Sequence, residues 1–466
     1  MKKIIFSALA LCAINAQELT KIQESQNLSL TIYNNNLAMV NEERAFNVDK
    51  TGKNNLVYEA IPTSVIFESI IPYFSKPTTL YSQNYHYDIL SLNKLLEKHI
   101  NKTISYKVQT GDYTYKKEQG VLLSLNPILV QKKGAIISGI KPADIIFSKI
   151  PDNLITKPSL VWKTKSQQGK QSIKLNYLTK NIAWKSDYVL NLDDSNTLNG
   201  WITITNNSGT TYDNAKIYCI AGDVKTSQPE LRHRTMQMKA VAYDSANFET
   251  VTQKAFAGYH LYEIPFNESI KNKEKKQINF VTKNSININT RAVSNNSIYF
   301  HRFSTIKNQK LNQQLQLKNS KENGLGLPLP KGTIRVYKKD EKLSHFIGQD
   351  RINHTALDEE IKLNIGKFFD ITQTIKQHEF KQTKYDIRSK YSRLLENKTD
   401  TAQVIEINES NYSNNIKTLE NNNNCTKTCF VTKEGLNSFK YTIELDPKES
   451  FELVVDYEMQ YARKLK

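Results

Sequence analysis

A chain of 466 residues with 24 Tyr, 18 Phe, 16 Gly and 12 Pro is too aromatic, and too poor in glycine and proline, for a disordered or collagen-like polymer. It is long enough for two to four globular domains. Its formal charge of +18, from 64 Lys and Arg against 46 Asp and Glu, is scattered, as in Lys271 to Lys276, with no Arg-rich groove or aromatic-interleaved basic motif, so no nucleic-acid partner is expected.

The N-terminus reads Met1-Lys2-Lys3, then apolar residues from Ile4 to Ile14, then Asn15-Ala16 and the polar pair Gln17-Glu18. A basic flank, about ten apolar residues and a small residue predict a signal peptide over 1–16, cut after Ala16. The stretch is shorter than the roughly 20 apolar residues that span a bilayer. Cys12 follows Leu11 rather than a small residue, which argues against a lipid anchor there. With no longer apolar run downstream, no transmembrane segment is expected. The mature chain is expected in the periplasm or at the cell surface of a bacterium. Lysine and asparagine are common everywhere, including Asn421 to Asn424. A compositional bias therefore explains the charge without a function, and attraction to an anionic envelope surface is the functional alternative.

Residues 17–150 read as an α+β region. Leu28, Leu30 and Ile32, then Leu37 and Met39, alternate around the turn cluster Asn34-Asn35-Asn36, a hairpin signal. Leu92, Leu95, Leu96 and Ile100 give helical spacing within about 86–100, with Ser91 as the cap. Five short apolar runs follow between about 101 and 150: Ile104 to Val108, Gly120 to Leu123, Ile128 to Val130, Ala135 to Ile137 and Ile145 to Phe147. They predict a small SH3-like barrel.

Residues 151–370 predict a first β-sandwich. Ile173, Leu175 and Tyr177 alternate with polar residues, as do Trp201, Thr203 and Thr205 with Ile202 and Ile204. Asn206-Asn207-Ser208-Gly209 reads as a turn. Residues 226–258 break the pattern and read as a long, mobile insertion. Residues 371–466 predict a second sandwich, from the alternation of Phe439, Tyr441, Ile443 and Leu445 and of Phe451, Leu453, Val455 and Tyr457. The fold class expected is mainly β: an N-terminal α+β region with a small barrel, then two antiparallel sandwich-like domains.

Of the cysteines beyond the leader, Cys219 lies in the apolar run Ile217 to Ala221 and reads as a buried free thiol. Cys425 and Cys429, four apart in a polar segment, can face each other across a tight hairpin and bond in an oxidising compartment. The zinc alternative needs two further ligands, and none is near in sequence.

Three groups of motifs resemble the domain of unknown function 4139 family. They are Trp184 to Tyr188 with Gly200 to Gly209 and Ala221 to Val224, Tyr259 to Pro265, and Pro328 to Tyr337 with Ile347 to Thr355 and Asp370. The likeness covers roughly 150–460. It implies an exported, β-rich protein; some relatives are labelled mucoidy inhibitors. No catalytic residues come with the family. Relatives often carry a tryptophan in the hairpin before the last strands, where this chain has Cys425 to Phe430. A disulfide would staple here what the aromatic staples there.

Enzyme motifs are missing: no G-x-S-x-G elbow, no H-E-x-x-H pair, no phosphate-cradling loop. No metal or cofactor is expected. Asp350, Arg351 and His354 form the densest polar cluster. They read either as a loop-borne binding or acid–base site, or as a turn in which Asp350 caps and Arg351 pairs with Glu359 or Glu360. His260 reads as a strand histidine at the core or its rim. Trp162, Trp184 and Trp201 read as core anchors or as sugar-stacking platforms. The expected role is non-catalytic binding or scaffolding in the envelope, with a protein or glycan partner. The alternative is a hydrolase of an envelope polymer built on carboxylates such as Asp187, Asp223 and Asp350, paired roughly 5–10 Å apart in a deep cleft.

Overall fold

The computed structural model describes residues 19–22, 25–86, 91–148, 157–222, 252–256, 258–340, 342–411, 416–425, 429–435 and 437–461. The expected leader, Asp223 and most of the expected insertion lie outside these residues. Strands dominate, in several sheets, and no described helix is long and apolar enough to cross a membrane. The expected helix is the single segment Leu92–Lys98, capped by Ser91, whose Oγ accepts from the Lys94 N–H at 3.2 Å; this satisfies one of the N–H groups that every helix start leaves open.

The chain divides into two compact units, residues 1–184 with 204–276, and residues 185–203 with 277–466. In the first unit the expected hairpin pairs Ser25–Tyr33 with Leu37–Val48, Leu30 opposite Val40. Leu30, Ile32, Ala38 and Val40 are fully buried. Asn36 closes the turn at φ 61°, a left-handed conformation that asparagine tolerates better than most residues. The second hairpin strand pairs over its whole length with Gly169–Lys180, which buries Ile173, Leu175 and Tyr177 as period-two alternation requires. The first pairs in parallel with Tyr212–Ala221. A second sheet orders Leu19–Lys21, Gly52–Glu59, Ser159–Ser166 and Thr79–His86.

All five short runs between 101 and 150 are strands of one antiparallel sheet: Thr103–Gly111, Thr114–Leu125, Ile128–Lys132, Ala135–Ile137 and Ile145–Ile146. They close over a core of Ile104, Tyr106, Leu122, Ile128, Val130 and Ile145, with Leu96 from the helix.

In the second unit a nine-stranded sheet runs in the order Ile416–Asn423, Ser450–Tyr461, Asp386–Asn397, Glu360–Gln382, Ile306–Lys318, Asn289–Ser297, Gln403–Ser410, Ser438–Leu445 and Cys429–Lys433. The late alternations land as expected: Phe439, Tyr441, Ile443, Leu445, Leu453, Val455 and Tyr457 are buried. The expected boundary at 370/371 falls inside the 23-residue strand Glu360–Gln382. That strand changes its register against Ile306–Lys318 near Gly366 and Lys367. A bulge of this kind re-aims the side chains and interrupts alternation, so one long strand reads as two segments.

One local device occurs three times. Asn206, Asn319 and Asn397 each end a strand region and are buried to 1% exposure or less. The Asn206 amide donates to the carbonyls of Thr210, Ile270 and Lys271 at 2.9–3.2 Å, and its Oδ1 accepts from the Ser208 N–H and hydroxyl. The Asn397 amide donates to Thr401, Leu445 and Asp446 at 2.9–3.4 Å, and its Oδ1 accepts from the Thr399 N–H and hydroxyl. The Asn319 amide donates to Leu327 and Ala356 at 2.8 and 2.7 Å. Each asparagine thus holds a second turn of fixed chemistry. Its left-handed residue is Lys273, Asp358 or Lys448 at φ 62°, 63° and 61°. The next residue, Glu274, Glu359 or Glu449, accepts through its carboxylate from the N–H three positions back, at 2.6, 2.9 and 2.7 Å. Strand-end backbone groups have no ladder partner, and buried ones must be satisfied by side chains. One asparagine, with two donors and an acceptor, does this for two connections at once.

Candidate functional site

The polar cluster singled out in the sequence does not converge. Asp350 lies on the strand Leu343–Ile352; its Oδ1 accepts from the Arg351 N–H and its Oδ2 from the Asn364 N–H, both at 2.7 Å. It is a carboxylate tied to backbone. Arg351 is exposed, and as the next residue on the strand it projects to the opposite side. The acids expected to pair with it are otherwise engaged: Glu359 holds its turn and Glu360 bridges to Lys362 at 3.0 Å. His354 is exposed beyond the strand end, with Nδ1 accepting from the Lys331 N–H at 3.3 Å.

Of the two proposed catalytic carboxylates among the described residues, Asp187 has the denser charged surroundings. It lies on Ile182–Leu192, which runs parallel to Gly332–Asp340 with Val189 opposite Arg335. Lys185 Nζ sits 3.1 and 2.9 Å from its two oxygens, Arg335 Nη1 lies 3.2 Å from Oδ1, and Thr203 donates to Oδ2 at 3.1 Å. Burial pushes its pKa up, but the hydrogen bonds from Lys185 and Arg335 outweigh burial and hold it below the usual carboxylate value. A group so clamped stays ionised and makes a poor proton donor. Because the folded value is depressed, its contribution to stability is present above the unfolded-chain value of about 3.9 and is lost as the pH falls through the folded value. Asp187→Asn is therefore expected to flatten the acid limb of a stability–pH curve, and an unchanged limb would show that the clamp contributes nothing.

Two of the three tryptophans are core anchors. Trp162 is fully buried, donates to Gln83 Oε1 at 2.7 Å and packs against Tyr58 at 5.6 Å. Trp184 is buried and donates to the Ile220 carbonyl at 3.1 Å. Trp201 is half-buried. His260 is half-buried, bonded to Gln253, and burial lowers its pKa. Cys219 is a buried free thiol, and burial pushes its pKa up.

Cys425 and Cys429 form a disulfide with Cα atoms 5.0 Å apart. Cys429 starts the edge strand of the nine-stranded sheet and is buried against its core. Closing so short a loop stabilises by about 2 kcal/mol in the chain-entropy view. The double variant Cys425→Ser, Cys429→Ser is expected to unfold correspondingly earlier. Denatured, unreduced protein lacking residues 1–16 is expected to show a single reactive thiol, that of Cys219; three reactive thiols would refute the bond.

The sequence missed two buried ionic networks. Glu42 and Arg44 alternate on Leu37–Val48: Arg44 Nε and Nη2 both donate to Glu42 Oε2 at 3.0 Å, and Tyr177 donates to Oε1 at 3.2 Å. The Arg44 guanidinium lies 3.9 Å from the Tyr58 ring centroid. In the second unit Arg393 and Glu409 are both fully buried. Glu409 accepts from Arg393 Nε at 2.8 Å, from Tyr391 at 2.8 Å and from Tyr457 at 2.7 Å; Arg393 Nη1 donates to Gln373 at 2.8 Å. Burial, and then the charge of Glu409, pushes the Tyr391 and Tyr457 pKa values up. Every charged group here is paired away from solvent, which is the arrangement of a structural network rather than of a reacting one. The only sequence signal was charge at inward positions of otherwise apolar strands.

Within the second unit a half-open cleft of about 620 Å³ has Asp193, Asp194, Lys338 and Lys339 on its polar side and Ile347 and Phe368 among its apolar residues. Asp193 also holds its own turn, accepting from the Ser195 N–H and hydroxyl at 3.0 Å. Charges of both signs beside an apolar wall suit recognition of a ligand with both polar and apolar parts. Comparison with protein-family models and with curated proteins gives no match.

Proposed function

We propose that this chain is an exported, non-catalytic envelope protein of the domain of unknown function 4139 family that binds or scaffolds through its sheet surfaces and the cleft at Asp193 and Lys338. The observation that carries this reading is the state of the carboxylates. Asp187 is neutralised by Lys185 and Arg335, and Asp350 is bonded to two backbone N–H groups, so neither is poised for acid–base work on a polymer. Export is supported by the basic-then-apolar N-terminus and by the disulfide, a bond that persists in oxidising compartments.

The test is cell fractionation with mass spectrometry of the mature N-terminus and of what co-purifies. Recovery outside the cytosol, starting at Gln17, with an envelope protein or glycan attached is expected. Cytosolic protein with Met1 intact would refute export. Hydrolysis of peptidoglycan or envelope polysaccharide by the purified protein would refute the non-catalytic role.

A further inference from the structure

The small five-stranded sheet carries a surface that its own packing does not explain. Its inner face buries Ile104, Tyr106, Leu122 and Val130. On the outer face, strand alternation aligns Tyr115, Lys117 and Gln119 along Thr114–Leu125. Across the ladder Lys107 lies opposite Lys117 and Ser105 opposite Gln119. Beyond Tyr106 the two strands continue as a ribbon in which all residues from 107 to 117 are exposed, with Tyr113 at 95% and Tyr115 at 58%. A free two-stranded ribbon is marginal in water, and like charges directly opposite each other destabilise it further.

Beside the root of the ribbon is a shallow hollow of about 570 Å³ lined by Thr103, Lys117, Gln119, Gln131 and Lys133 among others. The one acid at its border, Glu118, is bridged by Lys116 and Lys132. The uncompensated charge of this face is therefore positive, and its remaining groups are amides and hydroxyls.

We propose that this face binds an acidic polysaccharide. Lys107, Lys117 and Lys133 would pair with its carboxylate, sulfate or phosphate groups. Gln119, Gln131 and Thr103 would meet ring hydroxyls, and the exposed Tyr113 and Tyr115 rings would lie against sugar faces. Charge complementarity selects an anion. The amide- and hydroxyl-lined hollow selects a hydroxyl-bearing ring over a flat lipid headgroup plane, and the lack of guanidinium groups at the hollow disfavours recognition of nucleic-acid bases. The proposal concerns a different surface from the cleft above and draws on the export reading only for access to such a polymer. Purified protein tests it whether or not fractionation upholds export.

The experiment is titration of the mature chain with polygalacturonate, alongside neutral dextran, single-stranded DNA and phosphatidylglycerol vesicles, at low and raised salt. Three variants accompany it: K107Q/K117Q/K133Q, Y113A/Y115A, and K163Q/K165Q/K275Q as a surface-charge control. Binding to polygalacturonate but not dextran is expected, weakening with salt. Affinity is expected to fall by about tenfold or more in the first variant, to fall in the tyrosine variant, and to be retained in the control. Absent binding would overturn the proposal. So would equal loss in the control, or tighter binding to DNA or vesicles with the same dependence on these lysines. Every substituted side chain is exposed, so unchanged melting curves will separate loss of binding from loss of fold.

Discussion

Glu409→Leu is expected to destabilise the second unit by about 3–5 kcal/mol, the usual effect of removing one partner from a buried ion pair. The change strands Arg393 with 0% side-chain exposure and removes the acceptor for Tyr391 and Tyr457. Tyr457 would retain only Tyr441 as a partner, at 2.8 Å. The double variant Arg393→Met, Glu409→Leu is expected to recover much of the loss, because two apolar side chains leave no unpaired charge behind. Denaturant unfolding of the four proteins of the cycle measures both effects. A single variant as stable as the parent would mean that water reaches Arg393.

The same network makes a pH prediction. Tyr391 and Tyr457 have folded pKa values raised by burial and by Glu409, so the neutral form is favoured in the fold. Their contribution is complete below the unfolded-chain value of about 10 and declines as the pH rises past it. Stability is expected to fall on the alkaline side, and to fall less steeply in Tyr457→Phe.

Asn397→Ala is expected to cost about 2–4 kcal/mol. It leaves the carbonyls of Thr401, Leu445 and Asp446 and the Thr399 N–H without their side-chain partner, and each buried group left unsatisfied costs about 1–3 kcal/mol, partly relieved by water. Asn206→Ala is expected to match it, since the same five bonds are lost. Asn319→Ala is expected to cost less, because its amide serves two carbonyls. Asn397→Asp tests the mechanism further: it retains the acceptor for Thr399 but sets a carboxylate against the carbonyls, and is expected to be no better than alanine. A chain with two compact units need not unfold in one step. Hydrogen exchange resolved along the sequence is therefore the suitable measurement, with protection expected to drop on both connections each asparagine ties. Neutral behaviour of all three alanine variants would show that these buried asparagines contribute nothing to stability.

The strands were legible because sheets with one dry face force side chains to alternate, and Leu30, Ile32, Ile173, Tyr441 and Val455 obey that rule within single strands of 8 to 12 residues. The five-stranded sheet was legible for the same reason, its turns marked by short polar breaks. The Cys425–Cys429 pair was legible because four residues of separation leave few geometries, one of which is a bonded hairpin. Asp350, Arg351 and His354 looked like a site because they are close in sequence, but adjacency on a strand sends neighbours to opposite sides, and Asp350 and His354 are each tied to separate backbone N–H groups.

What belonged to the fold was every interaction between residues distant in the chain. Asn206 has the same composition around it as an ordinary turn; its burial follows from Ile270 and Lys271 arriving against it, 64 and 65 residues later. Glu409 is an ordinary strand acid until Arg393 and Tyr457 close over it from 16 and 48 residues away. Local alternation is a property of one strand and is written in its residues. Pairing of a buried charge is a property of which strands become neighbours, and that is settled only when loop closure and core burial choose a topology.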